Sequence, residues 1–279
     1  MMARKLFALS LLCAPLVMAA CGSDSTGTQA RGTVAVRMGV SSPSALRAGG
    51  TAALGGPLAV AGTNGTLSIT GIQMVVAKFQ LRGANDVACD RNGTGVSDDE
   101  CEFQAGPFFV DVPLNGSRLD VTTGATPAGT YTSVRFRVKN LDIDDDDDHA
   151  DDDDATPAQV QALFGQIRAQ IPDWPQKASM LVTGTFTPTG GAPRSFRAFL
   201  RAEVRVTLPI NPPLTVAEGS SGNAVSVVLD PAAFFKTGTT VIDLSQFNGR
   251  LGEFKVETER GFHGEGHGGG GNDDGPGHT

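Results

Sequence analysis

The stretch FRAFLRAEVRVTL, residues 196–208, alternates apolar and polar side chains along its length. Its apolar positions are Phe196, Ala198, Leu200, Ala202, Val204, Val206 and Leu208, and the residues between them include Arg197, Arg201, Glu203 and Arg205. Successive side chains of a β-strand point to opposite faces, whereas a helix would scatter this pattern around its axis. The stretch therefore predicts a strand with one buried face and one charged face.

Comparable alternation recurs on both sides of this strand. Residues 180–187 form a second β-type run, and the prolines and glycines of 188–193 supply a turn, so the two runs predict an antiparallel hairpin. Gly71 is expected to mark a bulge or bend in its strand. The other strand candidates are 34–40, 66–69, 72–81, 108–112, 118–121, 134–138, 224–229, 240–244 and 253–258.

One helix is predicted, over residues 157–171. Thr156 can cap it, and Pro157 suits the first helical position. Pro172 ends it, and Trp174 is interpreted as a packing residue, with ligand stacking as the alternative. The apolar residues that share one helical face are Val160, Leu163, Phe164 and Ile167. Together these patterns predict an all-β fold, an antiparallel β-sandwich with one short helix and disordered termini.

The N-terminus has the features of an export signal. Arg4 and Lys5 precede an apolar run over 6–17, which is shorter than the roughly 20 residues that a spanning helix needs. The sequence VMAAC, ending at Cys21, resembles a bacterial lipobox, with Met18 in place of the usual Leu. That resemblance implies removal of residues 1–20 and acylation of Cys21. The alternative is an ordinary leader that leaves Cys21 as a plain thiol.

Composition divides the rest of the chain. Residues 21–31 are polar and predict a flexible tether, 32–260 one β-sandwich domain with an acidic insert at 142–154, and 261–279 a disordered Gly/His-rich tail. The 36 Gly and 16 Pro suit short strands joined by turns. A net charge of −8 makes nucleic acid an unfavourable partner, because the phosphate backbone would repel the chain.

Three cysteines remain once the leader, with Cys13, is removed. An exported protein meets an oxidising compartment, so Cys89 and Cys101 are predicted to form a disulfide, which leaves Cys21 for the lipid. The loop between the two cysteines also offers calcium a set of oxygen donors, namely Asp90, Asn92, Asp98, Asp99 and Glu100. A catalytic or metal-binding role for the thiols is disfavoured, because the neighbouring sequence has no His or third Cys.

Two further segments are candidate metal sites. Ten aspartates lie within residues 142–154, and their mutual repulsion predicts a solvated, disordered insert. Loose binding of calcium or magnesium is the alternative, and a single well-formed site is the third interpretation. In the tail, His263 and His267 could capture a borderline ion such as zinc, copper or nickel. The candidate ligands of the insert are Asp144, Asp145, Asp146, Asp147, Asp148, Asp151, Asp152, Asp153 and Asp154.

Two short motifs resemble known exported proteins. The sequence PAGTYTSVR at 127–135 is similar to a P-A-G-x-Y-x-x-[IV]-R strand entry in bacterial lipoprotein domains of unknown function, and DPAAFF at 230–235 is similar to the D-P-x-x-W-F element of β-rich lipoproteins. The resemblance implies a β-rich, lipid-anchored domain, and it transfers no catalytic residue. Tyr131 is expected to bury its ring and bond its hydroxyl to the backbone.

The sequence has no Walker loop, dinucleotide fingerprint or G-x-S-x-G elbow. We therefore expect a non-enzymatic lipoprotein of the cell envelope, anchored to a bacterial membrane and facing the periplasm or exterior, that acts as a binding or structural module. Its partner would be an envelope protein or a glycan. The alternatives are a divalent-cation-binding lipoprotein, with calcium as the candidate cofactor, and a hydrolase of envelope polymers.

Replacement of Cys21 tests the anchor. Cys21→Ser should move the chain from the membrane fraction to the soluble fraction, or leave it unprocessed, because the acylated thiol is lost. Intact-mass measurement of the wild-type N-terminus should show acyl chains on Cys21. An unmodified mature N-terminus would contradict the lipoprotein assignment.

Overall fold

The computed structural model describes residues 30–41, 57–83, 103–140 and 155–255. Most of these residues lie in β-strands. The strands are β1 (Arg31–Val40), β2 (Leu58–Gly62), β3 (Gly65–Gly83), β4 (Gln104–Ala105), β5 (Phe108–Asp111), β6 (Leu119–Pro127), β7 (Gly129–Val138), β8 (Met180–Pro188), β9 (Arg194–Val216), β10 (Asn223–Leu229), β11 (Lys236–Thr237), β12 (Thr240–Val241) and β13 (Leu251–Lys255). The helices are α1 (Pro157–Gln170), α2 (Pro231–Phe235) and a 3-10 helix (Leu244–Phe247).

Two sheets form the domain. The small sheet has the order β10-β1-β6, and the large sheet has eight strands, with β3 and β9 near its centre; β11 and β12 form a separate two-stranded ribbon. A shared apolar core joins both sheets. The predicted all-β sandwich is therefore confirmed. Most pairs are antiparallel, but β1 pairs with β10, and β9 with β13, in parallel, which alternation within single strands could not reveal.

Strands β7 and β8 lie end to end between β3 and β9. The first part of β3, residues 65–74, pairs with β8, and its second part, 76–83, pairs with β7. In the same way β9 pairs with β8 through 194–200 and with β7 through 204–216. The predicted hairpin of residues 180–187 with the strand at 196–208 is thereby confirmed.

Ser179 lies where β8 begins, next to the junction of these two strands. Its hydroxyl donates to the Ala202 carbonyl at 2.6 Å and accepts from the Ala202 amide at 2.7 Å. Its carbonyl accepts from the Val75 amide at 2.8 Å. Since Ser179 is fully buried, these bonds satisfy backbone groups that the interrupted ladder would otherwise leave unpaired.

Two bulges keep the apolar side chains of β3 on its inner face. The register shifts between Ile69 and Gly71, as Gly71 predicted, and again between Val76 and Lys78. The inner positions of β3 are consequently Leu67, Ile69, Ile72, Met74, Val76, Phe79 and Leu81. Each bulge adds one residue and so reverses which side chains face inward. After Gly71, for example, the apolar residues Ile72 and Met74 face the core.

Helix α1 covers one part of the outer face of the large sheet. Its N-terminus has the predicted cap: the Gln159 amide donates to the Thr156 hydroxyl at 3.3 Å, and the Thr156 amide donates back to the Gln159 side chain at 2.8 Å. The predicted face of α1 is buried in a second apolar cluster that includes Val75, Leu181 and Phe199. The sheet is thus apolar on both sides at this end.

Trp174 packs the segment that follows α1 against the large sheet. Its ring is 2% exposed and packs edge-on against Phe109 and Phe199, at centroid distances of 5.3 and 5.7 Å. Its indole nitrogen donates to the Ala178 carbonyl at 3.2 Å. The packing role that the sequence suggested is confirmed.

An exposed ion pair lies beside this tryptophan. The Arg197 guanidinium donates to both carboxylate oxygens of Asp173 and lies over the Phe199 ring, 4.6 Å from its centroid. The hydrogen bond from Arg197 lowers the pKa of Asp173. Any stabilisation from the pair is present above the usual pKa of an aspartate and is lost as the pH falls through the lowered pKa.

The two motifs that resemble those of exported proteins form structural features, one at the turn between β6 and β7 and the other in a short helix packed in the core. Tyr131 is buried and donates its hydroxyl to the Pro127 carbonyl at 2.8 Å, at the point where the chain crosses from β6 of the small sheet to β7 of the large sheet. The Asp230 carboxylate accepts from the Ala232 amide at 2.8 Å and caps α2, a short helix that was not predicted. Phe234 and Phe235 of α2 are buried in the core. Both motifs are structural.

Two sequence expectations need correction. The strand predicted at 240–244 is wrong beyond Val241, because Asp243 caps a 3-10 helix that begins at Leu244. Strand β9 does not end at Leu208 but continues to Val216. Its register against β7 shifts between Tyr131 and Ser133, opposite the segment 209–214 that contains the prolines. Among the residues the structure describes, no helix is long and apolar enough to cross a membrane.

Removal of the Trp174 ring should destabilise the domain. Trp174→Ala is expected to lower the free energy of unfolding by about 3–5 kcal/mol, through lost burial and a cavity between α1 and the sheet. The matched control is Leu119→Ala, at a side chain 40% exposed, which should change it by less than about 0.5 kcal/mol. Urea titration followed by circular dichroism compares the two. Equal effects would contradict the packing role.

Candidate functional site

Every residue singled out from the sequence as a modification or metal site lies outside the described residues. This holds for Cys21, Cys89 and Cys101, for the aspartates of the insert and for His263 and His267. Within the described ranges no three His, Cys, Asp or Glu side chains form a group that could hold a metal ion. Lipidation, the disulfide and calcium binding therefore stay predictions.

The most distinctive surface of the described structure is a group of cations on the large sheet. We call it the basic face, and define it as the outward side chains of Lys78 and Arg82 on β3, Arg135 and Arg137 on β7, Lys139 directly after β7, and Arg205 on β9. Their neighbours in sequence, such as Phe79, Phe136 and Val204, are buried in the core between the sheets. The alternation that points the apolar side chains into the core therefore points these cations to the outer face of the large sheet.

The strand register aligns three of these cations in one row. Lys78 lies opposite Arg137, and Arg137 lies opposite Arg205. Like charges directly opposite one another on neighbouring strands are destabilising. The register therefore brings three like charges side by side on the large sheet.

Among the described residues, the Glu203 carboxylate approaches the row. The Arg137 guanidinium lies 3.9 Å from the Glu203 carboxylate, whose side chain is 64% exposed, while the Arg137 side chain is only 10% exposed. The carboxylate of this pair is mostly exposed, so solvent screens its attraction for Arg137.

The neighbouring row is polar. Gln80 lies opposite Arg135, and Arg135 opposite Thr207. On its other side Gln80 donates to the Gln104 side-chain oxygen at 3.3 Å. This row therefore brings amide and hydroxyl groups alongside the row of cations.

Buried polar atoms without a partner concentrate here. Within the described residues, the side-chain oxygen of Gln80, the Nε of Arg135 and the Nδ2 of Asn140 are buried and make no hydrogen bond. Such atoms are uncommon in folded proteins, because an unmade bond costs about 1–3 kcal/mol. These atoms lie on and beside the basic face.

Sequence reasoning identified this surface only in fragments. The alternation of 196–208 predicted Arg205 on the charged face of its strand, and 134–138 was a predicted strand, but nothing in the sequence showed these two strands as neighbours. Lys78 and Arg82 were missed, although they alternate with Phe79 and Leu81 in a predicted strand. That alternation was the available signal.

A cleft of about 380 Å³ lies at the other end of β3, between Thr70, Asp111 and Asn115. Among the described residues that line it, Asp111 supplies the one ionisable side chain. General acid–base chemistry on a polymer backbone generally needs a second group within reach. The basic face is consequently the stronger candidate for function.

Comparisons with known proteins leave the family open. No family model matches the chain, and no curated protein matches it. The chain is similar to one solved structure, MbnP from Methylosinus trichosporium, with 16% sequence identity over 77% of this chain and 80% of that chain, and a TM-score of 0.34. A likeness at this level carries no argument about function.

Repulsion within the row of cations should lower the free energy of unfolding, and most strongly at low ionic strength. Arg205→Gln is expected to leave the free energy of unfolding unchanged or to raise it by about 0.2–1 kcal/mol at low ionic strength, because like-charge repulsion is relieved. Added salt should shrink the gain. The control is Arg37→Gln on the small sheet, where Arg37 donates to Asp120 at 2.6 Å and no gain is expected. Urea unfolding at two salt concentrations measures both, and a salt-independent loss at Arg205 would contradict the repulsion.

Proposed function

We propose that this chain is a lipid-anchored module of the cell envelope that binds an anionic ligand without catalysing a reaction, and that the basic face is its binding surface. The observation that carries the proposal is the row of Lys78, Arg137 and Arg205, set by the register of three adjacent strands. The N-terminal leader and Cys21 support the location, and the sandwich supports a rigid platform.

Rigidity favours binding over loose electrostatic attraction. The cations of the basic face project from central strands of an eight-stranded sheet, whose opposite face is packed in the core. Side chains fixed on such strands lose little further freedom when a ligand arrives. Most of the cations are arginines, whose planar guanidinium groups bind carboxylates and phosphates through paired hydrogen bonds.

Net charge does not argue against an anionic ligand. The whole chain carries −8, but ten of its acidic residues lie within 142–154, so the remainder is close to neutral. A local positive surface attracts anions over roughly a Debye length, about 8–10 Å at moderate salt. The alternative of divalent-cation binding rests on residues outside the described ranges and stays a prediction.

Retention on an immobilised polyanion tests the proposal. The full-length chain should bind a dextran sulfate resin, pass through neutral dextran, and elute with increasing salt. A variant carrying Lys78→Gln, Arg137→Gln and Arg205→Gln should elute at clearly lower salt, because it loses the row of cations.

The matched control removes three cations elsewhere, with Arg31→Gln, Arg37→Gln and Arg250→Gln. It changes net charge equally, so it should elute close to wild type if position rather than total charge decides. Circular dichroism confirms that each variant is folded. Equal losses from both triple variants, or no retention of wild type, would contradict the proposal.

A further inference from the structure

We infer that the proline loop, which we define as residues 209–213 of β9, rests on the surface of the bilayer that anchors the chain. The inference rests on the lipid anchor of the proposed function and adds an orientation to it. Three observations lead to it: the loop stands out from the sheet, its chemistry suits the edge of a bilayer, and the chain that follows Cys21 enters the domain beside it.

The proline loop departs from the regular pairing of β7 with β9. Tyr131 pairs with Leu214, and Ser133 pairs with Pro209. Thr132 therefore lies opposite the four residues 210–213, and such an excess on one strand bends that strand out of the ladder. The exposed side chains of the loop are Pro209, Asn211, Pro212 and Pro213.

The chemistry of the loop suits the boundary between water and lipid. Three of its five residues are prolines, which have no backbone N–H, so displaced water leaves few donors unsatisfied. Residues 206–217 contain no charged side chain, so this segment can approach a bilayer without stripping water from a charge. Ile210 and Leu214 pack partly against the core, which fixes the position of the loop on the domain.

The chain enters the domain close to this loop. The Ala128 amide donates to the Ala30 carbonyl at 2.7 Å, directly before β1. Thr132, which lies opposite the loop, follows Ala128 by four residues, a distance of about 13 Å in an extended chain. The proline loop and the start of β1 therefore lie at the same end of the sandwich.

The length of the preceding segment keeps that end near the bilayer. Arg31 follows Cys21 by ten residues, which span at most about 33–36 Å when fully extended. An acyl group on Cys21 therefore restrains this end of the sandwich more closely than any other. Because the anchor already holds the domain at the membrane, even a weak contact through the loop forms at a high effective concentration of lipid.

Quenching of tryptophan fluorescence by brominated lipids tests the orientation. The sequence has one tryptophan, Trp174, which is 2% exposed and gives a low background. The full-length, acylated chain is incorporated in phosphatidylglycerol vesicles whose acyl chains are brominated. Asn211→Trp should be quenched clearly more strongly than the wild-type chain, because its added ring meets the lipid.

Leu119→Trp is the matched control. Leu119 is 40% exposed and pairs with Met38, which is seven residues, or about 23 Å, along β1 from Arg31. A tryptophan there should be quenched no more than the wild-type chain. In a second variant, Pro213→Glu is added to Asn211→Trp and should reduce the quenching, because the new carboxylate meets anionic head groups. Circular dichroism checks that each variant is folded.

Flotation of the same vesicles separates this inference from the anchor. If the chain floats with the vesicles but Asn211→Trp is quenched no more than Leu119→Trp, the anchor stands and the orientation is wrong. If the chain does not float, the anchor and the inference both fall. An emission of Asn211→Trp that shifts with protein concentration in the absence of lipid would place a second copy of the chain on the loop, and would also overturn the inference.

Discussion

The pairing of β3 and β9 with two strands in succession is the constraint on which the rest of the molecule depends. These strands are 19 and 23 residues long, and β7 and β8 fill the space between them from opposite ends. The buried hydroxyl of Ser179 completes the backbone bonding at the junction. Because the register at both ends is fixed by core side chains, the outer face is fixed as well.

That outer face has two parts with different chemistry. Over β8, apolar residues such as Leu181 and Phe199 hold α1 and Trp174. Over β7, the outward positions are basic, and no helix of the described chain covers them. The basic face and α1 are therefore neighbours on the outer face of the large sheet.

Local signals predicted the elements well. Period-two alternation identified β9, the composition of 157–171 identified α1 with its Thr156 cap, and Gly71 identified a bulge. The candidate site could not be predicted in the same way, because Lys78, Arg137 and Arg205 are far apart in sequence and meet only through register. The parallel pairing of β1 with β10 was equally hidden. A one-residue shift of any pairing would reverse its faces, and no local pattern records which strands become neighbours.

The most direct test of the central claim observes the arginine side chains themselves. Two-dimensional ¹⁵N NMR of the Nε–H groups, during titration with soluble dextran sulfate, reports on each guanidinium separately. The account predicts that the signals of Arg82, Arg135 and Arg137 shift together and saturate, while those of Arg37 and Arg168 stay in place. Uniform small shifts across all arginines, or shifts confined to arginines outside the basic face, would contradict it.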